Sequence, residues 1–188
     1  MGVKKEVSEM ATLVRGDVRP GLRDLVTGVR GAVDRHVGWR ETALIVGGEL
    51  RRHLPTPDVL TAEERIGDPD QYQCHTLYAA PDGAFSIVGL VWRPGQMTPI
   101  HDHVTWCVFG VLQGIEHEEL YVHEGDHLLS AGVNDNLPGD VSGFAPPGDI
   151  HRVRNSGDTT AISIHIYGTD ISRIDSSVRR VYELPVRG

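Results

Sequence analysis

Residues 98–114, TPIHDHVTWCVFGVLQG, place two histidines one residue apart in an otherwise apolar run. The branched and aromatic residues are typical of a buried strand, in which residues i and i+2 point to the same face. His101 and His103 therefore share one face, and Asp102 lies on the other. Neutral imidazoles are costly to bury without a polar partner, and a metal ion suits a pair of them well. The segment predicts a metal-binding strand in a β-rich core.

The sequence around this segment, from about residue 70 to residue 188, has strand periodicity. Runs such as AFSIVGLVWRP (84–94) and AISIHIYG (161–168) are separated by turn signals such as PPGD (146–149). Strands that follow one another without helices between them predict a sandwich or a small barrel. Residues up to about 66 have helical spacing instead, as in GLRDLVTGVRGAVDRHVG (21–38). Because no flexible linker separates the halves, we expect one domain over residues 1–188, with the helices packed on the barrel.

The composition of the chain argues against some classes of binding partner. The chain has 188 residues and a formal net charge of -8, which argues against nucleic acid or an anionic membrane as the main partner. The first residues lack the apolar centre of a signal peptide, and no later run is long enough to span a bilayer. We therefore expect a cytoplasmic protein. Its two cysteines, Cys74 and Cys107, are too few for a disulfide scaffold, and we expect both to be thiols.

A third histidine, His151, follows the turn PPGD and opens another predicted strand. Together the two histidine segments resemble the two sequence motifs of the cupins. The matching residues are Gly95, His101, His103 and Gly114 in the first motif and Pro146, Gly148, His151 and Asn155 in the second. The resemblance implies a double-stranded β-helix, the jelly-roll barrel of the cupins, with a metal bound by His101, His103 and His151.

One position departs from the cupin pattern. The first motif normally has a glutamate between the histidine pair and the glycine, and Cys107 stands there in this sequence. Three neutral imidazoles leave a divalent metal with its full charge and with open coordination positions. Such a centre attracts an anionic ligand, and a thiolate suits it.

At this point the sequence resembles the cysteine dioxygenase family of cupins, particularly its bacterial members that include 3-mercaptopropionate dioxygenases. The matching segments are PGQMTPIHDHVTW (94–106), GVLQG (110–114), DIHRVRN (149–155) and SIHIYG (163–168). The resemblance implies a non-haem Fe(II) enzyme that adds both atoms of O2 to a small thiol, giving a sulfinate. It indicates no oligomeric state.

The strand AISIHIYG adds a second group of polar residues. Ser163, His165 and Tyr167 alternate along one face and can form a hydrogen-bond chain in which His165 orients the Tyr167 hydroxyl towards the metal. They match the Ser-His-Tyr triad of the family one for one, and we call them the triad below. His165 as a fourth metal ligand is an alternative.

The family resemblance leaves two interpretations of Cys107. Animal cysteine dioxygenases have a cysteine near this position that becomes crosslinked to the tyrosine of the triad, whereas bacterial relatives commonly have glycine. Cys107 is therefore either joined to Tyr167 by a thioether or a plain buried thiol, a common environment for cysteine.

The substrate's carboxylate needs a cationic or hydrogen-bonding anchor, and arginine suits it because its planar fork can bind both oxygens. Animal-type enzymes take that arginine from the strand before the iron motif, but here the segment QYQCHTLY (71–78) has none. Resemblance to the mercaptopropionate type, which uses a glutamine and a C-terminal arginine, implies Gln73 and either Arg179 or Arg180, with Tyr72 alongside. We therefore expect 3-mercaptopropionate ahead of L-cysteine.

Two other kinds of function fit a cupin metal site. One is a cupin enzyme of different chemistry, either a dioxygenase that cleaves carbon–carbon bonds or an isomerase, but such enzymes often retain the glutamate that Cys107 replaces. The other is a non-catalytic metal-binding sensor, which has little need for the phenol that the triad places near the metal.

Overall fold

The computed structural model describes residues 18–174 and 176–187. Two α-helices come first, α1 (Arg23–Val33) and α2 (Trp39–Arg52), followed by short 3-10 turns at Pro57–Val59 and Glu64–Ile66. This confirms the helical character expected before residue 66, of which residues 1–17 lie outside the described part. No helix among the described residues is long and apolar enough to cross a membrane.

The remainder of the described chain is built mainly of strands. In chain order they are β1 (Gln73–Ala79), β2 (Ser86–Trp92), β3 (His101–His103), β4 (Cys107–Gln113), β5 (Glu116–Glu124), β6 (His127–Asn136), β7 (Val141–Phe144), β8 (Ile150–Asn155), β9 (Ala161–Tyr167), β10 (Val178–Val181) and β11 (Val186–Arg187). A short 3-10 turn, Ile171–Arg173, lies between β9 and β10.

The strands form two sheets. The five-stranded sheet has the order β1-β2-β9-β4-β7, and the six-stranded sheet has the order β10-β3-β8-β5-β6-β11. Neighbouring strands are antiparallel except for β11, which runs parallel to β6. The expected fold class, mainly β with an N-terminal helical segment, is confirmed.

The run of residues 98–114 is two strands, and its interpretation as one continuous strand is wrong. His101–His103 belongs to the six-stranded sheet and Cys107–Gln113 to the five-stranded sheet. The chain crosses between them at residues 104–106, where the Trp106 side chain packs into the core next to the helices. An apolar run looks the same whether or not it changes sheets, because the change depends on pairing with distant strands.

Strand β9 is buried on both faces. Its isoleucines, Ile162, Ile164 and Ile166, join a core cluster with residues of α1 and α2, so the helices cover the outer face of the five-stranded sheet. The alternating side chains Ser163, His165 and Tyr167 lie on the opposite face, towards the six-stranded sheet. Coverage by the helices is what allows a strand at the centre of the molecule to place three polar groups in the interior.

Gly114 connects the end of β4 to β5 in a conformation that favours glycine. Its φ is +77°, and a Cβ there would lie 2.7 Å from the Ala161 Cα at the start of β9. Gly125, in the β5–β6 turn, has a φ of +59°, but nothing lies within 4 Å of the position that a Cβ would take. The two glycines share the backbone constraint and differ in the space around them.

We expect Gly114→Ala to lower the free energy of unfolding by about 2 kcal/mol more than Gly125→Ala, because the added methyl must displace backbone as well as adopt a left-handed conformation. Urea denaturation of both variants measures the difference. Equal losses would mean that the β9 backbone moves aside at little cost.

Candidate metal centre

Three buried histidines meet between the two sheets. His101 and His103 are the first and last residues of β3, and His151 is the second residue of β8. The antiparallel pairing of these strands places His151 directly opposite His101. One ring nitrogen from each histidine can be chosen so that all three lie within 4.8 Å of one another. The structure thus brings together the three residues that the sequence predicts as ligands.

Each ring has a hydrogen-bond partner for its Nδ1 atom. That of His101 lies 2.9 Å from the Pro99 carbonyl oxygen, that of His103 lies 3.1 Å from Asp149 Oδ2, and that of His151 lies 2.7 Å from Glu118 Oε1. An Nδ1–H that donates to each of these oxygens leaves Nε2 with a free lone pair. Partners of this kind hold imidazoles in the tautomer and orientation needed for metal binding.

Asp149 and Glu118 were not identified from the sequence. Asp149 also accepts a hydrogen bond of 3.0 Å from the His103 backbone N–H. Strand alternation gave a signal for it, because Asp149 immediately precedes β8 and lies two residues before His151. Glu118 gave no such signal, since it lies among other acids in EHEEL (116–120) and reaches His151 only through the pairing of β5 with β8.

The donor set fits a divalent transition metal. Burial, with a smaller effect from the neighbouring imidazoles, lowers the pKa of His101 to about 3, and burial likewise lowers the pKa of His103. Both rings are therefore neutral at pH 7, as metal ligands must be. Three imidazoles without a carboxylate would leave positions open for other ligands, and such a set suits Fe(II) as well as Ni, Mn or Zn.

A cavity of about 170 Å³ opens onto the three histidines. Its walls combine apolar, aromatic and hydroxyl groups. The lining residues are Tyr72, Cys74, Leu90, Trp92, Thr98, His101, His103, Phe144, His151, Val153, His165, Tyr167, Ile171, Ser176, Ser177 and Val178. Within the described part of the chain, no arginine or lysine belongs to this lining. The space is suited to a small molecule.

The triad forms the hydrogen-bond chain predicted for it. Ser163 Oγ lies 3.0 Å from His165 Nε2, and the Tyr167 hydroxyl lies 3.5 Å from His165 Nδ1. Burial lowers the pKa of His165 to about 3 and raises that of Tyr167 well above its usual value, so both groups are neutral at pH 7. His165 and Tyr167 line the cavity. His165 is not in the described three-histidine group, and both of its nitrogens face triad partners.

A protein family model matches the part of the chain that contains this site. The family model described as cysteine dioxygenase type I matches residues 63–180, which include all three histidines and the triad. The chain belongs to the cysteine dioxygenase type I family. Membership implies a cupin dioxygenase that acts on a small molecule with O2, and the buried histidines are consistent with its non-haem metal site.

Several solved structures are similar at low identity. Oxalate oxidase in complex with glycolate is 18% identical, with a TM-score of 0.44, covering 55% of this chain and 53% of that chain. The capsular polysaccharide assembling protein CapF from Staphylococcus aureus is 17% identical, with a TM-score of 0.48, covering 64% and 34%. TT1209 from Thermus thermophilus is 18% identical, with a TM-score of 0.46, covering 58% and 96%. The chain thus spans about half the length of the oxalate oxidase, and these similarities carry no functional implication.

Cys107 lies beside Tyr167. The two residues are direct cross-strand neighbours in the pairing of β4 with β9, and Cys107 Sγ lies 3.9 Å from His165 Nδ1. Burial raises the pKa of the thiol well above its usual value, which keeps it protonated at pH 7. The cross-strand position is compatible with a thioether to Tyr167 and with a plain buried thiol, and the crosslink stays a prediction.

Of the residues predicted to bind the substrate, some line the cavity and others do not. Tyr72 lines the cavity and stacks on Trp92 at a centroid distance of 4.4 Å. Gln73 is not part of the lining, whereas Cys74 is. Strand alternation explains this, because Gln73 points away from the face that Tyr72 and Cys74 share.

The two C-terminal arginines have other partners. Arg179 forms an ion pair with the buried Asp102 carboxylate, and the Arg180 guanidinium lies 5.5 Å from the centre of the Tyr182 ring. Neither belongs to the cavity lining, although Ser176, Ser177 and Val178 directly before them do. Their roles towards the substrate stay predictions.

We expect Glu118→Gln to weaken Fe(II) binding roughly 10- to 100-fold, because the charged acceptor that orients His151 is lost. Chelator competition under anaerobic conditions measures the affinity. Glu124→Gln, an exposed residue on the same strand, is the matched control and should leave the affinity unchanged. Equal affinities for the two variants would show that the Glu118 charge does not support the metal site.

Proposed function

We propose that the protein is a non-haem Fe(II) thiol dioxygenase that converts a small thiol carboxylate and O2 into the corresponding sulfinate. The overall reaction, RSH + O2 → RSO2H, adds both oxygen atoms to sulfur and needs no external reductant. The observation that carries the proposal is that one small cavity is lined both by the three clustered histidines and by Tyr167 of the triad.

Each group of residues has a distinct role in this proposal. His101, His103 and His151 hold Fe(II), which when bound supplies a centre where a thiolate and O2 can react together. The lack of a carboxylate among these ligands favours an anionic thiolate. The Tyr167 hydroxyl, oriented by His165, positions the reactants by hydrogen bonding, and the apolar walls limit access of water.

We propose 3-mercaptopropionate as the favoured substrate, with L-cysteine next. A bidentate arginine on the strand before the metal motif would favour an amino acid carboxylate, but the cavity face of β1 carries Cys74 instead. Tyr72, Thr98, Ser176 and Ser177 in the cavity lining carry uncharged hydroxyl groups that can donate to a carboxylate. In this proposal Arg179 is a cationic residue close in sequence to the cavity lining, because it directly follows the last lining residue.

Several further expectations belong to the same proposal. We propose that the chain works as one unit over residues 1–188, because a single core cluster contains side chains of both helices and of the five-stranded sheet. Its cytoplasmic location and the lack of nucleic-acid or membrane partners stay predictions.

We expect anaerobically Fe(II)-loaded protein to consume O2 fastest with 3-mercaptopropionate, more slowly with L-cysteine, and least with cysteamine, which lacks a carboxylate. Oxygen uptake is measured for the three thiols side by side, and the sulfinate is identified by mass. Preference for L-cysteine would overturn the argument from the missing arginine. No uptake with any thiol at full iron occupancy would favour a cupin of other chemistry or a sensor.

We expect Tyr167→Phe to reduce kcat by about 100- to 1,000-fold, the range for loss of one hydrogen-bond donor to reacting groups, while iron content stays close to normal. Iron per chain and turnover are measured on the same samples. Tyr78→Phe, in the core cluster beneath the helices, is the control for loss of a buried phenol hydroxyl. Equal loss of iron and turnover in Tyr167→Phe would make that residue structural.

A further inference from the structure

Glu116 is a fully buried carboxyl group that the proposed chemistry does not use. It is the first residue of β5 and has no solvent exposure. Among the residues that the structure describes, neither carboxyl oxygen has a partner at full hydrogen-bond geometry, but the Ser163 hydroxyl and the Trp92 indole N–H are near enough to act on the pKa of Glu116 as donors. An isolated buried carboxyl is costly, so its place beside the triad needs an explanation.

The carboxyl lies at the inner end of the triad. Trp92 Nε1 donates to Ser163 Oγ at 3.3 Å, and the same oxygen lies 3.0 Å from His165 Nε2. Hydrogen-bonded groups therefore run from Ser163 through His165 to the hydroxyl of Tyr167 at the cavity, and the Glu116 carboxyl group lies beyond Ser163 at the inner end. Such a chain can carry its hydrogen bonds in either direction.

We propose that Glu116 is a positioning residue whose protonation state sets the direction of this chain, and so decides whether the Tyr167 hydroxyl donates into the cavity. Any consequence for turnover rests on the proposed function. The direction of the chain itself is a property of these side chains alone.

With Glu116 neutral, its O–H donates to Ser163 Oγ, which also accepts from Trp92. The Ser163 hydroxyl then donates to Nε2 of His165, so the imidazole proton is on Nδ1. That Nδ1–H donates to the Tyr167 oxygen and leaves the phenol proton free to point into the cavity. Every donor and acceptor capacity of the serine is used, with two bonds accepted and one donated.

With Glu116 ionised, the bonds from Glu116 to Ser163, from Ser163 to His165 and from His165 to Tyr167 reverse, while Trp92 still donates to Ser163. The Ser163 hydroxyl donates to the carboxylate, and His165 donates from Nε2–H to Ser163. Its Nδ1 then accepts the phenol proton of Tyr167, which is no longer free for the cavity. One proton leaves Glu116 for solvent, no covalent bond between heavy atoms changes, and the imidazole changes tautomer while staying neutral.

The surroundings of Glu116 raise the pKa of its carboxyl group. Burial raises its pKa to about 7, opposed by the donors Ser163 and Trp92 and reinforced by the charge of Glu118 on the same strand. Within the described structure, Cys107 of the five-stranded sheet is also near enough for the charge of Glu116 to raise the pKa of its thiol, and Cys107 and His165 are both uncharged at pH 7.

The strands that flank β5 add no charge next to Glu116. Asn136 on β6 and Asn155 on β8 are its cross-strand neighbours, and Asn136 donates to the Glu116 backbone carbonyl at 3.3 Å. Both amides are uncharged at every pH considered, so the ionisation of Glu116 is set by burial and by the groups named above.

Histidine ¹⁵N NMR of the metal-free full-length protein tests the inference directly. We expect the His165 signals to change from the Nδ1–H to the Nε2–H tautomer as pH rises through about 7. Glu116→Gln should abolish this change, because an amide does not titrate. Glu124→Gln, the same substitution at an exposed position of β5, should retain it. Ser163→Ala should also abolish it by interrupting the chain while leaving Glu116 in place, which guards against misfolding of a single variant.

Turnover supplies a second readout that a structural role would not affect. We expect kcat/KM of the Fe(II) protein to fall with rising pH through a step near the Glu116 pKa. That step should be missing in Glu116→Gln and present in Glu124→Gln.

The inference is overturned if wild-type His165 keeps one tautomer across this range, or if Glu116→Gln changes tautomer as the wild type does. Absence of thiol oxidation in the wild type would overturn the proposed function, while the tautomer experiment on the metal-free protein would still decide the role of Glu116.

Discussion

Burial of four imidazoles between two sheets is the constraint on which the site depends. His101, His103, His151 and His165 are all buried, and each would be costly there without partners for its ring nitrogens. A carbonyl, two carboxylates and the triad hydroxyls supply those partners. The Nε2 atoms of the three clustered histidines are the ones left for a metal. The hydrogen bonds at the Nδ1 atoms therefore determine which ring nitrogens are available to a metal.

Those partners come from strands that are distant in the sequence. Glu118 on β5 holds His151 on β8, and Asp149 holds His103 on β3, so the geometry of the site depends on correct pairing within the six-stranded sheet. The five-stranded sheet contributes the triad from the opposite side of the sandwich. The three-histidine group and the triad consequently belong to different sheets, and the cavity is the space between them.

The N-terminal helices contribute to the site although none of their residues lines the cavity in the described structure. By covering the outer isoleucines of β9 they exclude water from the outer face of that strand, whose residues are all buried. In this dry environment burial lowers the pKa of His165 and raises that of Glu116. Because His165 stays neutral, the ionisation of one carboxyl group can change the direction of the hydrogen bonds along the triad. This is the physical basis of the inference about Glu116.

Local sequence patterns determined which residues share a face: the histidine pair one residue apart, the Ser163-His165-Tyr167 alternation, and the change from helical to strand periodicity near residue 70. These are short-range properties of the backbone and could be predicted without coordinates. Only the tertiary structure decided that residues 98–114 divide between two sheets, that Cys74 rather than Gln73 lines the cavity, and that Arg179 pairs with Asp102. It also decided that Glu118 bonds to His151 and that the buried Glu116 carboxyl lies near Ser163. Each of these depends on register and packing between strands far apart in the chain, because cross-strand hydrogen bonds and burial leave no periodic signal in the sequence of either strand alone.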